Sequence, residues 1–250
     1  MDSLVLLILG GVIGFISTLA GGGYFLALPV LVALGFSLPV AYGGLWGAVF
    51  VSCVTRLIIF SRAGVIDWLN GITLSIPITL GTFAGAMIRP HFPEADTDAA
   101  LLGAAVFSLT LIAGSFRHFF ASRNNEIAHF GFIELTVFFL IGGWAGVTAI
   151  ESPALLIWAL MVLVGYDVVR ANALKGLLSL VTTVVTVIIL GSAGHAAWSL
   201  DILLAAGALI GSRTGAHVAI HEEARIWVFP IIVVALTADL IWLIAQALMR

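Results

Sequence analysis

The segment Ala20-Gly21-Gly22-Gly23-Tyr24 lies just ahead of Pro29 in a long apolar stretch. Each glycine costs a helix about 1 kcal/mol relative to alanine, so a helix entering this segment is expected to break. At membrane depth a break is tolerated only where the bare backbone lines a cavity or is buried in protein. The N–H groups it frees, at the positive end of a half-helix, are suited to holding an oxyanion. The competing possibility is a glycine-smoothed helix crossing with no ligand.

A second segment of this kind reads Val147-Thr148-Ala149-Ile150-Glu151-Ser152-Pro153. Pro153 again interrupts helix hydrogen bonding, while Thr148, Glu151 and Ser152 supply hydroxyls and a carboxylate. A carboxylate at the centre of a bilayer costs roughly 3 kcal/mol on insertion, so an acidic group standing in a long apolar stretch is by default functional. Burial raises a carboxyl pKa, which makes Glu151 the candidate proton-coupling group. Further along, Arg170, Asn172 and Lys175 could form an electropositive entrance that neutralises an anion, or they could snorkel to the headgroups. Arg56 and Arg213 carry the same two alternatives. The candidate substrate-binding set is Gly21, Gly22, Gly23, Tyr24, Thr148, Glu151, Ser152, Asn172 and Lys175.

Other chemistries find less support. His217 and His221 share a helix face ahead of Glu222 and Glu223, but no third ligand has an obvious place, so a solvated helix end is expected and no metal or cofactor. His91, His118, His129 and His195 fall in connections and suggest nothing sharper. Asp239 could face the bundle interior or an interface, and the sequence leaves this open. Cys53, the one cysteine, is expected to be a small buried residue. No phosphate-binding Gly-x-x-x-x-Gly-Lys-Ser/Thr pattern occurs, which argues against ATP hydrolysis by this chain. A basic patch with interleaved aromatics is also missing, which argues against nucleic acid as a partner.

The elements that must position these residues are membrane helices. Hydrophobic residues make up 62% of the 250 and charged residues only 9%, where a soluble domain carries about 25% charged. Apolar runs of spanning length recur at Leu4–Ala20, Val40–Phe60, Leu69–Met87, Ala99–Phe116, Phe130–Val147, Ala171–Leu190, Ser199–Val218 and Ile226–Leu248. Phe25–Leu34 and Ala154–Val164 are too short to span comfortably. The first run follows Asp2 rather than a basic segment and continues into glycine-rich sequence, so it is expected to belong to the mature protein.

Shifting the sequence by 130 positions brings Gly35 onto Gly165, Gly64 onto Gly194, Trp68 onto Trp198, Gly81 onto Gly211 and Gly85 onto Gly215. A shift of 132 brings Gly10, Gly11 and Gly14 onto Gly142, Gly143 and Gly146. The expected architecture is all-α: two repeats, 1–125 and 126–250, each a broken helical hairpin followed by three spans, about eight long spans and up to ten segments in one membrane domain. An odd number of full spans per repeat inverts the second repeat. With the Ser61–Trp68 connection cytoplasmic, Arg56, Arg62, Arg117, Arg123, Arg170, Lys175, Arg213 and Arg225 fall inside, and only Arg89 and Arg250 outside, as the positive-inside rule asks.

The glycine break with its following Pro29 inside Gly14–Leu34, the Ala63-Gly64 turn and the Gly81/Gly85 spacing together resemble the sulfite exporter TauE/SafE family, over nearly the whole chain. The resemblance implies a duplicated inverted-repeat carrier in the inner membrane for sulfite, sulfonates or related organic anions. Members of that family often carry a glycine-rich break in the second half too, where this chain has Glu151-Ser152-Pro153. The expected function is secondary transport of a small anion, coupled to protons through Glu151. A passive channel or membrane scaffold is the alternative, and a membrane-embedded enzyme would need a nucleophile–base or metal constellation that these residues do not form. Direction of transport and oligomeric state stay open.

Overall fold

A computed structural model describes residues 3–19, 21, 23–91, 103, 106–115, 130–148, 153–191, 198–221, 223 and 225–249. Among these the regular structure is helical and no strand occurs. The first half holds α1 (Ser3–Leu19), α2 (Gly23–Ala33), α3 (Leu38–Gly43), α4 (Trp46–Arg62) and α5 (Trp68–Ile88). A 3-10 turn at Arg89–His91 follows, and residues 106–114 are helical. The second half holds α6 (Phe132–Thr148), α7 (Pro153–Trp158) running into a π turn at Ala159–Leu163, α8 (Val168–Gly191), α9 (Trp198–Ala219) and α10 (Arg225–Met249).

Among the described residues, three helical stretches are long and apolar enough to cross a membrane by length and composition: Trp68–Ile88, Val168–Ile189 and Leu200–Ala219. Along α5 the exposed residues Leu69, Ile72, Ile76, Leu80, Phe83 and Met87 recur every three or four positions and make one apolar face. In water such a stripe would be a liability; against acyl chains it is a solvated surface. Polar side chains instead lie inside, among them Ser17, Ser52, Arg56, Asn172, Lys175 and Ser179.

Both short apolar pieces are short helices. α2 has 11 residues, and α7 with its π turn spans Pro153–Leu163. The helix ends that follow are closed by glycines in the left-handed region, Gly35 at φ 90° and Gly165 at φ 90°. There Phe36 N–H reaches back to Leu31 O at 3.1 Å and Tyr166 N–H to Leu160 O at 3.0 Å, which satisfies end-of-helix carbonyls.

One expectation fails. The run Val40–Phe60 was expected to be a single helix, but the chain stops at Gly43 and restarts at Trp46. Two adjacent glycines weaken the helix there, and Gly44 is pressed against the Leu200 side chain, where a Cβ would overlap it. The N–H groups freed at the restart find a partner on α9, Asp201, which accepts from Gly47 N at 2.7 Å.

The closest packing joins α1 to α9 and α5 to α6. Gly10 lies against the Leu204 backbone and Gly14 against that of Ala208, so α1 and α9 run parallel. Gly142 lies against Ile78 and Gly146 against Thr82 in the same parallel sense. A side chain on Gly211 would overlap the Gly11 carbonyl, and one on Gly85 the Gly143 carbonyl. In lipid, helix association depends on such close backbone approach, because acyl chains are as apolar as the side chains they would replace.

Candidate functional site

The end of α1 at Leu19 leaves its last carbonyls without partners inside the helix, at the negative end of the helix dipole. Two cations and an amide occupy that end. Arg56, from α4, donates through Nη1 to Ser17 O at 3.2 Å and through Nη2 to Cys53 Sγ at 2.8 Å. Lys175, from α8, donates through Nζ to Ser17 O at 3.4 Å. Asn172, one turn before it, donates through Nδ2 to Thr18 O at 2.9 Å and Leu19 O at 3.2 Å. Arg56 is 1% exposed and Lys175 0%.

The absence of a side chain at Gly176 lets the Arg56 stem lie against α8, since a Cβ there would stand 3.3 Å from Arg56 Nε. Gly21 continues the chain at φ +84°, a conformation that strains any L side chain. A Cβ on it would overlap the Pro153 ring and stand 3.5 Å from Lys175 Nζ. The break after α1 and the proline that opens α7 therefore meet beside the lysine. Around them Ser17 Oγ, Thr18 Oγ1, Ser52 Oγ, Ser179 Oγ and Asn172 Oδ1 are buried with no hydrogen-bond partner among the described residues. Buried polar atoms usually have one, so this cluster can accommodate further polar contacts.

At the turn before α8 a second polar group ties the hairpin of the second half to α5. Tyr166 donates its hydroxyl to Asp67 Oδ2 at 2.8 Å, and Asn70 Nδ2 donates to both Tyr166 Oη and Asp67 Oδ2 at 2.8 Å. Asp67 also caps α5, its Oδ1 accepting from Asn70 N at 3.2 Å. Burial, and next the hydrogen bond to Asp67, pushes the Tyr166 hydroxyl up to about 12.

Of the residues singled out from sequence, Gly21, Asn172 and Lys175 come together at the end of α1. Gly23, the first residue of α2, sits against Ser17 Oγ, where a Cβ would overlap it. Thr148 is buried at the end of α6, with its hydroxyl turned back to Trp144 O at 2.9 Å. Gly22, Glu151 and Ser152 lie outside the described residues, as does the side chain of Tyr24. Arg170 is separate from the cluster, half-exposed and paired with Asp167 at 3.9 Å.

Arg56 and Lys175 do not snorkel. The charge pattern places both near the cytoplasmic boundary, yet both are in the protein interior, where the end of α1 offers carbonyls to them. Cys53 is buried as expected and also accepts from Arg56. His217 and His221 are exposed, and no group of three or more metal-ligating side chains occurs among the described residues.

Sequence reasoning passed over Ser52 and Ser179 and left Arg56 between two alternatives. The available signal was spacing: Ser52 with Arg56, and Asn172 with Lys175 and Ser179, recur at three or four positions on otherwise apolar helices. A polar stripe on a membrane helix must face protein.

Apolar outer faces, helices packed backbone to backbone and cations gathered at a helix break define a multi-pass membrane protein built in the manner of a transporter. The sequence model described as sulfite exporter TauE/SafE matches residues 6–240, and the chain belongs to that family, as an inner-membrane protein. It is 23% identical over 239 residues to a protein of Sinorhizobium sp. described as probable membrane transporter protein ORF9, covering 93% of this chain and 88% of that one. No solved structure matches.

Proposed function

We propose that the chain is a secondary carrier that moves a small anion, such as sulfite, a sulfonate or a related organic oxyanion, across the inner membrane. The observation that carries this reading is the burial of Arg56 and Lys175 together at the break after α1, beside Gly21 and Pro153. Two positive charges in the interior of an apolar bundle are costly to desolvate, and an anion beside them recovers much of that cost. The hydroxyls of Ser17, Thr18, Ser52 and Ser179 add donors suited to oxyanion oxygens.

The carrier is organised as two inverted repeats, 1–125 and 126–250. Support comes from positions 130 apart: Gly35 and Gly165 share the left-handed conformation, and Trp68 and Trp198 each open a helix. It also comes from the matching parallel pairs, α1 with α9 and α5 with α6, each of which joins the first helix of one half to a late helix of the other. A site where the two breaks touch is suited to alternating access, in which one half rocks against the other. Glu151 stands two residues before Pro153 and supplies the proton-coupling group, with Tyr24, Gly22 and Ser152 completing the substrate contacts.

The test is uptake of radiolabelled sulfite and short sulfonates by proteoliposomes. Uptake should saturate, respond to a proton gradient and be lost in Lys175→Gln, which keeps a donor and removes the charge. Hydrogen bonds to charged groups contribute about 1.5–3 kcal/mol, so affinity should fall about tenfold or more. Unsaturable uptake would indicate a channel, and full activity of inserted Lys175→Gln protein would remove the cluster from the site.

A further inference from the structure

A second basic site lies away from the cluster, on the outer surface where α4 and α9 diverge. It is a groove of about 470 Å³ whose lining combines the apolar Ile58, Ile59 and Leu209 with the basic Arg62, Arg213 and His217. Among the described residues no carboxylate lines it. Arg62 is the last residue of α4, and Arg213 stands six residues before the end of α9, roughly 9 Å along the axis at 1.5 Å per residue. Arg62 thus stands at a helix end, and the long Arg213 side chain can reach toward the headgroups from within the last two turns of α9. His217 donates Nδ1–H to Arg213 O at 2.7 Å, which holds the ring beside the arginine and leaves Nε2 for another partner.

We propose that this groove is a binding site for an anionic phospholipid, whose phosphate lies between Arg62 and Arg213 and whose acyl chain lies along Ile58 and Leu209. Charge complementarity selects the occupant: two fixed positive charges with apolar walls below them match a phosphodiester carrying hydrocarbon, whereas a zwitterionic headgroup brings its own cation to the arginines. Ile58 and Leu209 are 47% and 50% exposed, so the apolar part of the groove faces the acyl chains directly. Arg213 and His217 have no basic counterparts in the first half. The positions 130 residues before Arg213 and His217 are Phe83 and Met87, both exposed and uncharged. A lipid held here bridges α4, which carries Arg56, to α9, which packs along α1.

The experiment uses the full chain purified in detergent and titrated with dioleoyl phosphatidylglycerol, dioleoyl phosphatidylcholine or inorganic phosphate, read by native mass spectrometry and melting temperature. Phosphatidylglycerol should bind at one molecule per chain and raise the melting temperature, while the other two should not. A basic residue near a headgroup is worth about fivefold in affinity, so Arg62→Gln with Arg213→Gln should weaken phosphatidylglycerol about 25-fold. The charge-preserving pair Arg62→Lys with Arg213→Lys should stay within a few-fold of the native protein, and Arg170→Gln, elsewhere on the surface, should change nothing. Equal binding of phosphatidylcholine, equal stabilisation by phosphate alone, or unchanged phosphatidylglycerol binding in the double glutamine variant would each overturn the proposal.

Discussion

Asp201 in the first turn of α9 accepts a hydrogen bond from Gly47 N in the first turn of α4, at 2.7 Å across 154 positions of sequence. The carboxylate is 5% exposed and lies between two helix N-termini, each of which favours a negative charge. Glycine is required at 47, because a Cβ there would stand 2.8 Å from the Asp201 carboxyl carbon. The pair 130 residues away, Gly71 and Leu177, is purely apolar, and there α8 runs unbroken. A capping acid is present where the helix restarts and missing where it continues.

The first prediction follows from that cap. Asp201→Ala should destabilise the protein by about 1–3 kcal/mol, the usual cost of leaving a buried N–H without its partner. Asp201→Asn keeps an acceptor and should lose less. Thermal unfolding in detergent separates the two, and equal melting temperatures for both variants would show that the hydrogen bond contributes nothing.

The glycine contacts yield a second. Gly211→Val and Gly85→Val each force a side chain into a facing backbone carbonyl and should cost about 1–3 kcal/mol or more by overpacking. Among the described residues nothing lies within 4 Å of where a Cβ on Gly114 would stand. Gly114→Ala should therefore be neutral or stabilising by up to about 1 kcal/mol. A loss at Gly114 as large as at Gly211 would mean that close approach to a facing backbone is not what makes these glycines necessary.

A third concerns alkaline pH. The folded protein holds the Tyr166 proton more tightly than the unfolded chain, with the pKa raised from 10.0 to about 12. The stability this contributes is fully present below about pH 10 and is lost as pH rises through about 12. Of the three tyrosines, one should ionise late in a tyrosinate absorbance titration, and Tyr166→Phe should remove that late phase. Its persistence would assign it to Tyr24 or Tyr42.

Topology supplies the fourth. In a Cys53→Ser background, single cysteines at Ser61 and Ser192 should react with an impermeant thiol reagent from opposite sides of the membrane, as inverted repeats require. Reaction from the same side would leave the 130-residue correspondence as parallel duplication.

Much of the helical layout was legible in the sequence because it is a local property. A residue in lipid must have its backbone hydrogen bonds met within a few positions, so apolar length and glycine or proline punctuation locate α1, α5, α6, α8 and α9 directly. The family was legible for a related reason, since the spacing of Gly81 with Gly85 and the run Gly21–Gly23 survive as short patterns. What stayed hidden depends on partners far along the chain. Arg56, Lys175 and Arg170 are alike as charges on apolar helices, yet the first two turn inward because Ser17 O lies within their reach, and Arg170 remains outside with Asp167. The break between α3 and α4 needed Asp201, and the glycines of α1 acquired their role only when α9 came alongside. Sequence alone determined which segments are helices and where they weaken, through hydrogen bonds that close within one turn; tertiary structure decided which carbonyls, carboxylates and glycines face one another, because those contacts join residues up to 158 positions apart.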